Sequence, residues 1–81
     1  MTIRVLFFAS LRERLRRSED RCSLAEGATV DDLWEVLCQQ YPQLIPLARS
    51  IRFAVNREYV KASQALADND EVALIPPVSG G

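Results

Sequence analysis

Thr29-Val30-Asp31-Asp32-Leu33-Trp34-Glu35-Val36-Leu37-Cys38-Gln39-Gln40-Tyr41-Pro42 is the stretch on which the fold turns. Val30, Leu33, Trp34, Leu37 and Tyr41 recur at i, i+3 and i+4, which predicts a helix with one apolar face. Thr29 suits the N-cap, and Asp31 and Asp32 suit the positive end of the helix dipole. Pro42 ends it, because proline has no N–H to continue the ladder. Cys38 falls on the rim of the apolar face, and Trp34 reads as a core anchor. A helix apolar on one side needs a sheet to cover that side.

The flanking sequence supplies strands. Upstream, Thr2–Ala9 alternates, with Ile3, Val5 and Phe7 on one parity and Arg4, Leu6 and Phe8 on the other. A short helix over Ser10–Arg16 follows, with Ser10 as cap and Glu13 three residues on. Cys22–Ala25 reads as a second strand, and Glu26-Gly27-Ala28 as a turn. Downstream, Gln43–Arg49 reads as one irregular helical turn around Leu44, Leu47 and Ala48. Ile51–Val55 and Tyr59–Lys61 form a hairpin about Asn56-Arg57-Glu58, with Asn56 suited to positive φ. Leu66–Asp70 has turn chemistry. Glu71–Ile75 is the last strand, and Pro76 stops its pairing.

The order strand, strand, long helix, short strands predicts an α+β β-grasp fold. A mixed sheet of four or five strands packs on one main helix, with the first and last strands parallel at its centre. One helix covers one sheet face only. Both parities of the first and last strands are apolar, so some apolar surface is expected to stay open. Phe7, Phe8, Leu74 and Ile75 are the candidates for a docking surface.

A domain over 1–75 leaves Pro76-Pro77-Val78-Ser79-Gly80-Gly81 as an extended tail without a charged side chain. The prolines stiffen its start, and the glycines let the backbone approach another surface closely. Six extended residues reach roughly 20 Å. Such a tail can thread a partner's tunnel and present the carboxyl group of Gly81 there.

Composition narrows the chemistry further. Eighty-one residues make one domain, with 48% hydrophobic and 26% charged residues and a net charge of −1. Nothing here argues for nucleic acid or a membrane, and the N-terminus lacks a signal-peptide layout, so the cytoplasm is expected. There is no histidine, which removes histidine-activated nucleophiles and common zinc sets; no metal site is expected. Cys22 and Cys38 read as small hydrophobes. No glycine-rich phosphate loop appears, so no bound cofactor is expected. Arg12, Arg14, Arg16, Arg17 and Arg21, against Glu13, Glu19 and Asp20, read as a solvated segment or a contact for an acidic patch.

Three stretches together resemble the small subunits of molybdopterin synthase, the MoaD-like sulfur carriers of the ubiquitin-like ThiS superfamily. They are Val5–Glu13, Ala54–Val60 and Asp68–Gly81, the last ending in Pro-Pro-Val-Ser-Gly-Gly. The chain departs from the family at Asn69, where glycine is frequent, and in the arginine-rich loop after the first helix. The resemblance implies a non-catalytic carrier within a sulfurtransferase complex. An E1-like adenylyltransferase uses ATP to adenylate the terminal glycine, here Gly81, and a sulfur donor converts it to a thiocarboxylate. The tail then enters the large subunit of a heterotetramer of two small and two large chains. There its sulfur passes to a cyclic pyranopterin monophosphate on the way to molybdenum cofactor. Within that resemblance Gly80 gives clearance, Pro76 and Pro77 hold the stalk off the sheet, and Val78 and Ser79 contact the partner. Carriers for thiamine thiazole, cysteine or tRNA thiolation, and ubiquitin-like protein modifiers, share the Gly-Gly ending and remain as alternatives.

Overall fold

The computed structural model describes residues 1–77. It runs β1 (Thr2–Phe7), α1 (Ala9–Leu15), β2 (Glu19–Ser23), α2 (Val30–Gln40), a 3₁₀ segment (Pro42–Leu47), β3 (Arg52–Val55), β4 (Glu58–Val60) and β5 (Glu71–Ile75). The strands form one five-stranded sheet in the order β2-β1-β5-β3-β4. β1 and β5 pair in parallel at its centre, and the remaining pairs are antiparallel. This is the expected β-grasp arrangement.

The long helix forms for the reasons its sequence gives. Thr29 caps it reciprocally: its hydroxyl accepts from the Asp32 N–H, and the Asp32 carboxylate accepts from the Thr29 N–H at 2.9 Å. Its inner face buries Val30, Leu33 and Leu37 completely. They share one core with Ile3, Val5 and Phe7 of β1 and Val72 and Leu74 of β5. Each such side chain contributes roughly 1.5–3 kcal/mol by leaving water. Trp34 is only half-buried, and stacks edge-on against Phe53 with ring centroids 5.7 Å apart.

Several local expectations shift. The first helix starts at Ala9, and Phe8 occupies its N-cap with no side-chain cap bond. Ser10 therefore lies inside the first turn and does not cap. No glycine closes this helix; Arg16 takes the left-handed conformation itself, with φ 55°. β2 starts three residues earlier than the expected Cys22–Ala25 and ends two earlier, because Glu19, Asp20 and Arg21 pair with Leu6, Val5 and Arg4 on an edge strand. A polar edge strand resembles a loop in sequence. The β3–β4 turn uses positive φ at both Asn56 (50°) and Arg57 (72°), a hairpin geometry that matches sheet twist. Asn69 has φ 69°, so asparagine serves where glycine is frequent in the resembled family.

The edge strand is held by a polar cluster. Tyr41 Oη donates to Asp20 Oδ2 at 2.6 Å, and Arg17 approaches the same oxygen at 3.5 Å. Burial alone raises the pKa of Asp20, but the bonds from Tyr41 and the Arg21 N–H, with Arg17, hold it below its ordinary value. Burial, then the bond to Asp20, pushes the Tyr41 phenol up to about 12. Tyr41→Phe is therefore expected to cost about 1 kcal/mol at neutral pH, measured by urea unfolding. The Asp20 contribution exists above the ordinary carboxylate range and fades as pH falls through its lowered folded pKa. The difference between wild type and variant should shrink accordingly in acid. Tyr41 acts in the opposite sense: its contribution is full below its ordinary value of 10 and is lost as pH rises toward about 12.

Candidate functional site

Strand alternation gives the sheet two unlike faces. On the helix side, Val5, Phe7, Val72 and Leu74 are essentially inaccessible. On the other side, register places side chains in rows across the strands. Arg4 lies beside Glu71 and Arg21. The next row runs Glu19, Leu6, Ala73, Ala54 and Tyr59. Beyond it, Ile75 stands beside Arg52, and Phe8 follows β1, its N–H donating to the Leu74 carbonyl at 3.4 Å.

Among the described residues, the middle of this second face is closed at Ala54 and Ala73, 6% and 9% exposed, while its larger side chains keep accessible surface. Phe8 is 42% exposed and Tyr59 67%, while Leu6 and Ile75 are half-buried. Phe8 and Leu6 also line a hollow of about 190 Å³ with Arg12 and Glu19. The face thus offers an apolar row bounded at one end by charge. There Arg4 pairs with Glu19 at 3.0 Å and with Glu71 at 3.4 Å. These pairs are half-exposed, so each contributes under about 1 kcal/mol and chiefly fixes side-chain positions.

Two residues expected at a docking surface cannot serve there. Phe7 is 2% exposed and Leu74 0%, because their parity points at the helix. Their neighbours Phe8 and Ile75 lie on the opposite parity and retain accessible surface. Pro76 is also buried, and Pro77 is the first exposed residue after β5. The stalk therefore leaves the domain one residue later than expected. Val78, Ser79, Gly80 and Gly81 lie outside the described residues.

β5 delivers the chain directly to this face. Pro76 and Pro77 form one wall of a hollow of about 530 Å³, and Arg49, Ser50, Arg52, Tyr59 and Ile75 form the rest. The sequence reading did not single out Arg49, Arg52 or Tyr59. The available signal was register: Arg52 and Ile75 are paired positions on adjacent strands.

Other chemistry is sparse. Among the described residues no group of three or more histidine, cysteine or acidic side chains could hold a metal ion. No helix there is long and apolar enough to cross a membrane. Burial pushes the thiols of Cys22 and Cys38 up, Cys22 further through the charge of Asp20. Both are therefore protonated and weakly nucleophilic at neutral pH. The described part of the site is thus a partly apolar surface around the end of β5.

Comparison with known proteins gives consistent matches over nearly the whole length. The ThiS family matches residues 5–81. The molybdopterin synthase sulfur carrier subunit of Chlamydomonas reinhardtii is 42% identical, covering 100% of both chains. The small archaeal modifier protein 1 (SAMP1) of Haloferax volcanii is 31% identical, covers 100% of both chains and superposes with a TM-score of 0.87. A putative molybdopterin converting factor, subunit 1, of Pyrococcus furiosus is 29% identical over 96% of this chain and 99% of its own, with a TM-score of 0.87.

Proposed function

The chain belongs to the ThiS family, and on that premise we propose that it is the sulfur carrier subunit of a molybdopterin synthase. The observation that carries this reading is full-length identity of 42% to a curated carrier subunit. The geometry supports it: an uncovered apolar row lies beside the point where the chain leaves β5.

The chemistry follows from the tail. A carboxylate is a poor electrophile, because its charge repels nucleophiles and oxide is a bad leaving group. An E1-like enzyme with ATP converts the carboxylate of Gly81 to an acyl-adenylate, releasing pyrophosphate. A sulfur donor displaces AMP, and the tail ends as a thiocarboxylate. Its soft, ionised sulfur is then the nucleophile in the large subunit, where it bonds to a cyclic pyranopterin monophosphate; water cleaves the resulting thioester, leaving the sulfur on the pterin and a carboxylate on Gly81. Two transfers complete a dithiolene, so spent carriers leave and are recharged. In this reading the fold binds no cofactor of its own, and works in the cytoplasm within a complex of two small and two large subunits. The domain's task is recognition: Phe8, Leu6, Ile75 and Tyr59 dock, and the tail from Pro77 enters the partner.

Mixing the thiocarboxylated chain with a molybdopterin synthase large subunit and the cyclic precursor tests this. Formation of molybdopterin, with two carriers consumed per product, is the expected result. A stable complex that never transfers sulfur would count against it.

The likeness to SAMP1 favours one second reading, a protein modifier whose activated glycine is attacked by lysine. Lysine-linked conjugates in cell extracts, with no thiocarboxylate, would select it.

A further inference from the structure

The hollow at the root of the tail carries charge that the sulfur chemistry does not use. Arg49 and Arg52 line it beside Tyr59, Ile75, Pro76 and Pro77. Both arginines are exposed. Among the described residues, the ion pairs involve Arg4 and Arg17, and neither Arg49 nor Arg52 has a carboxylate partner. The segment 49–61 holds Arg49, Arg52, Arg57 and Lys61 against Glu58 alone, in a chain whose net charge is −1. Register carries Arg57 to the far end of the β3–β4 hairpin, level with Val72 rather than Ile75, so the charge at the root of the tail is that of Arg49 and Arg52.

Any protein that takes up the tail must cover this hollow, because Pro76 and Pro77 are part of its wall. Covering it strips water from two guanidinium groups. Arginine cannot escape that cost by losing its proton. A desolvated guanidinium is tolerable only when an anion pairs with it. A carboxylate matches its planar fork and can accept two parallel hydrogen bonds. Apart from Ser50, the remaining wall of Ile75, Tyr59, Pro76 and Pro77 asks for apolar contact, which a peptide segment supplies and a free anion does not.

Resting on the carrier reading above, we propose that the large subunit presents an acidic segment to Arg49 and Arg52. The pairing sets how fast and in which orientation the tail enters. A charge pair that the partner covers acts on dissociation as well as on association and salt dependence.

Surface plasmon resonance of the full chain against the molybdopterin synthase large subunit, at several salt concentrations, tests this. Arg49→Glu with Arg52→Glu should weaken binding about 10- to 100-fold, through slower association and faster dissociation, and flatten the salt dependence. Arg49→Lys with Arg52→Lys keeps the charge but loses the planar fork, so it should weaken binding less than the reversed pair and preserve the salt dependence. The charge-matched control Arg14→Glu with Arg16→Glu, in α1 and at its C-cap, should have a much smaller effect. Unchanged affinity and salt slope in the reversed pair overturns the proposal while leaving the carrier reading intact. An equal loss in the control overturns it too, since net charge then explains the effect. If removal of residues 78–81 shifts the Arg49 and Arg52 side-chain resonances in the free chain, the occupant is its own tail and the proposal fails. Absence of any wild-type binding removes the carrier reading, and this inference with it.

Discussion

Deleting Gly81 is expected to abolish sulfur transfer completely and leave the domain's stability unchanged within about 0.5 kcal/mol. The separation follows from where structure and chemistry reside. β5 ends at Ile75, Pro76 is already packed, and among the described residues the core is assembled from side chains that all precede it. Nothing beyond Pro77 is needed to explain the fold. By contrast, the proposed electrophile is a single carbonyl carbon. Removing Gly81 moves the carboxyl group to Gly80, about 3.5 Å short of its station, and misplacement by even an ångström is costly in a site built for near-attack geometry. Adding one bulky residue after Gly81 should be equally damaging, because the carboxyl is displaced and the bare tip is lost. Thermal unfolding beside a single-turnover transfer assay checks both variants. A parallel loss of folding would contradict the division between domain and tail.

Phe7 and Phe8 are expected to behave in opposite ways although they are adjacent. Phe7 is 2% exposed and stacks edge-on with Tyr41 at 5.7 Å, so Phe7→Ala opens a cavity in the core. The cost should be about 3–5 kcal/mol, a large share of what holds a small domain together. Phe8 is 42% exposed on the uncovered face, and Phe8→Asp should change stability by no more than about 0.5 kcal/mol. Its effect should fall on the partner instead. A charged group placed in the apolar row, at an aromatic anchor, should weaken large-subunit binding about 100-fold or more. Chemical denaturation and calorimetric titration separate the two. Equal stability losses in both variants would mean that the face is not free; unchanged affinity in Phe8→Asp would mean that it is not the docking face.

The same pair of residues marks how far the sequence could be read. The alternation of Thr2–Ala9 identified the central strand, and the rhythm from Val30 to Tyr41 identified the helix that covers it. Thr29 and Pro42 bounded that helix because caps and prolines act locally. What alternation could not say is which parity meets the helix, since both are apolar. Phe7 and Phe8 are apolar for different reasons, one for packing and one for the open face, and only register separates them. β2 was misplaced for a related reason. Its first residues are polar for two reasons: Glu19 and Arg21 meet solvent, and Asp20, opposite Val5, is partly buried as the acceptor of the Tyr41 hydroxyl. Their pairing depends on Arg4, Val5 and Leu6, which are distant in sequence. Arg49 and Arg52 escaped notice because isolated arginines are common on surfaces. They gain meaning only when β3 and β5 bring them to the root of the tail.

The central claim is that this polypeptide acts through the carboxyl group of Gly81. Intact-mass spectrometry after incubation with an E1-like adenylyltransferase, ATP and a sulfur donor tests it most directly. The expected result is a shift of about +16 Da, the exchange of one oxygen for sulfur by acyl transfer, located by fragmentation on the last residue. An unchanged mass alongside confirmed turnover of ATP, or sulfur found on Cys22 or Cys38 instead, would contradict it.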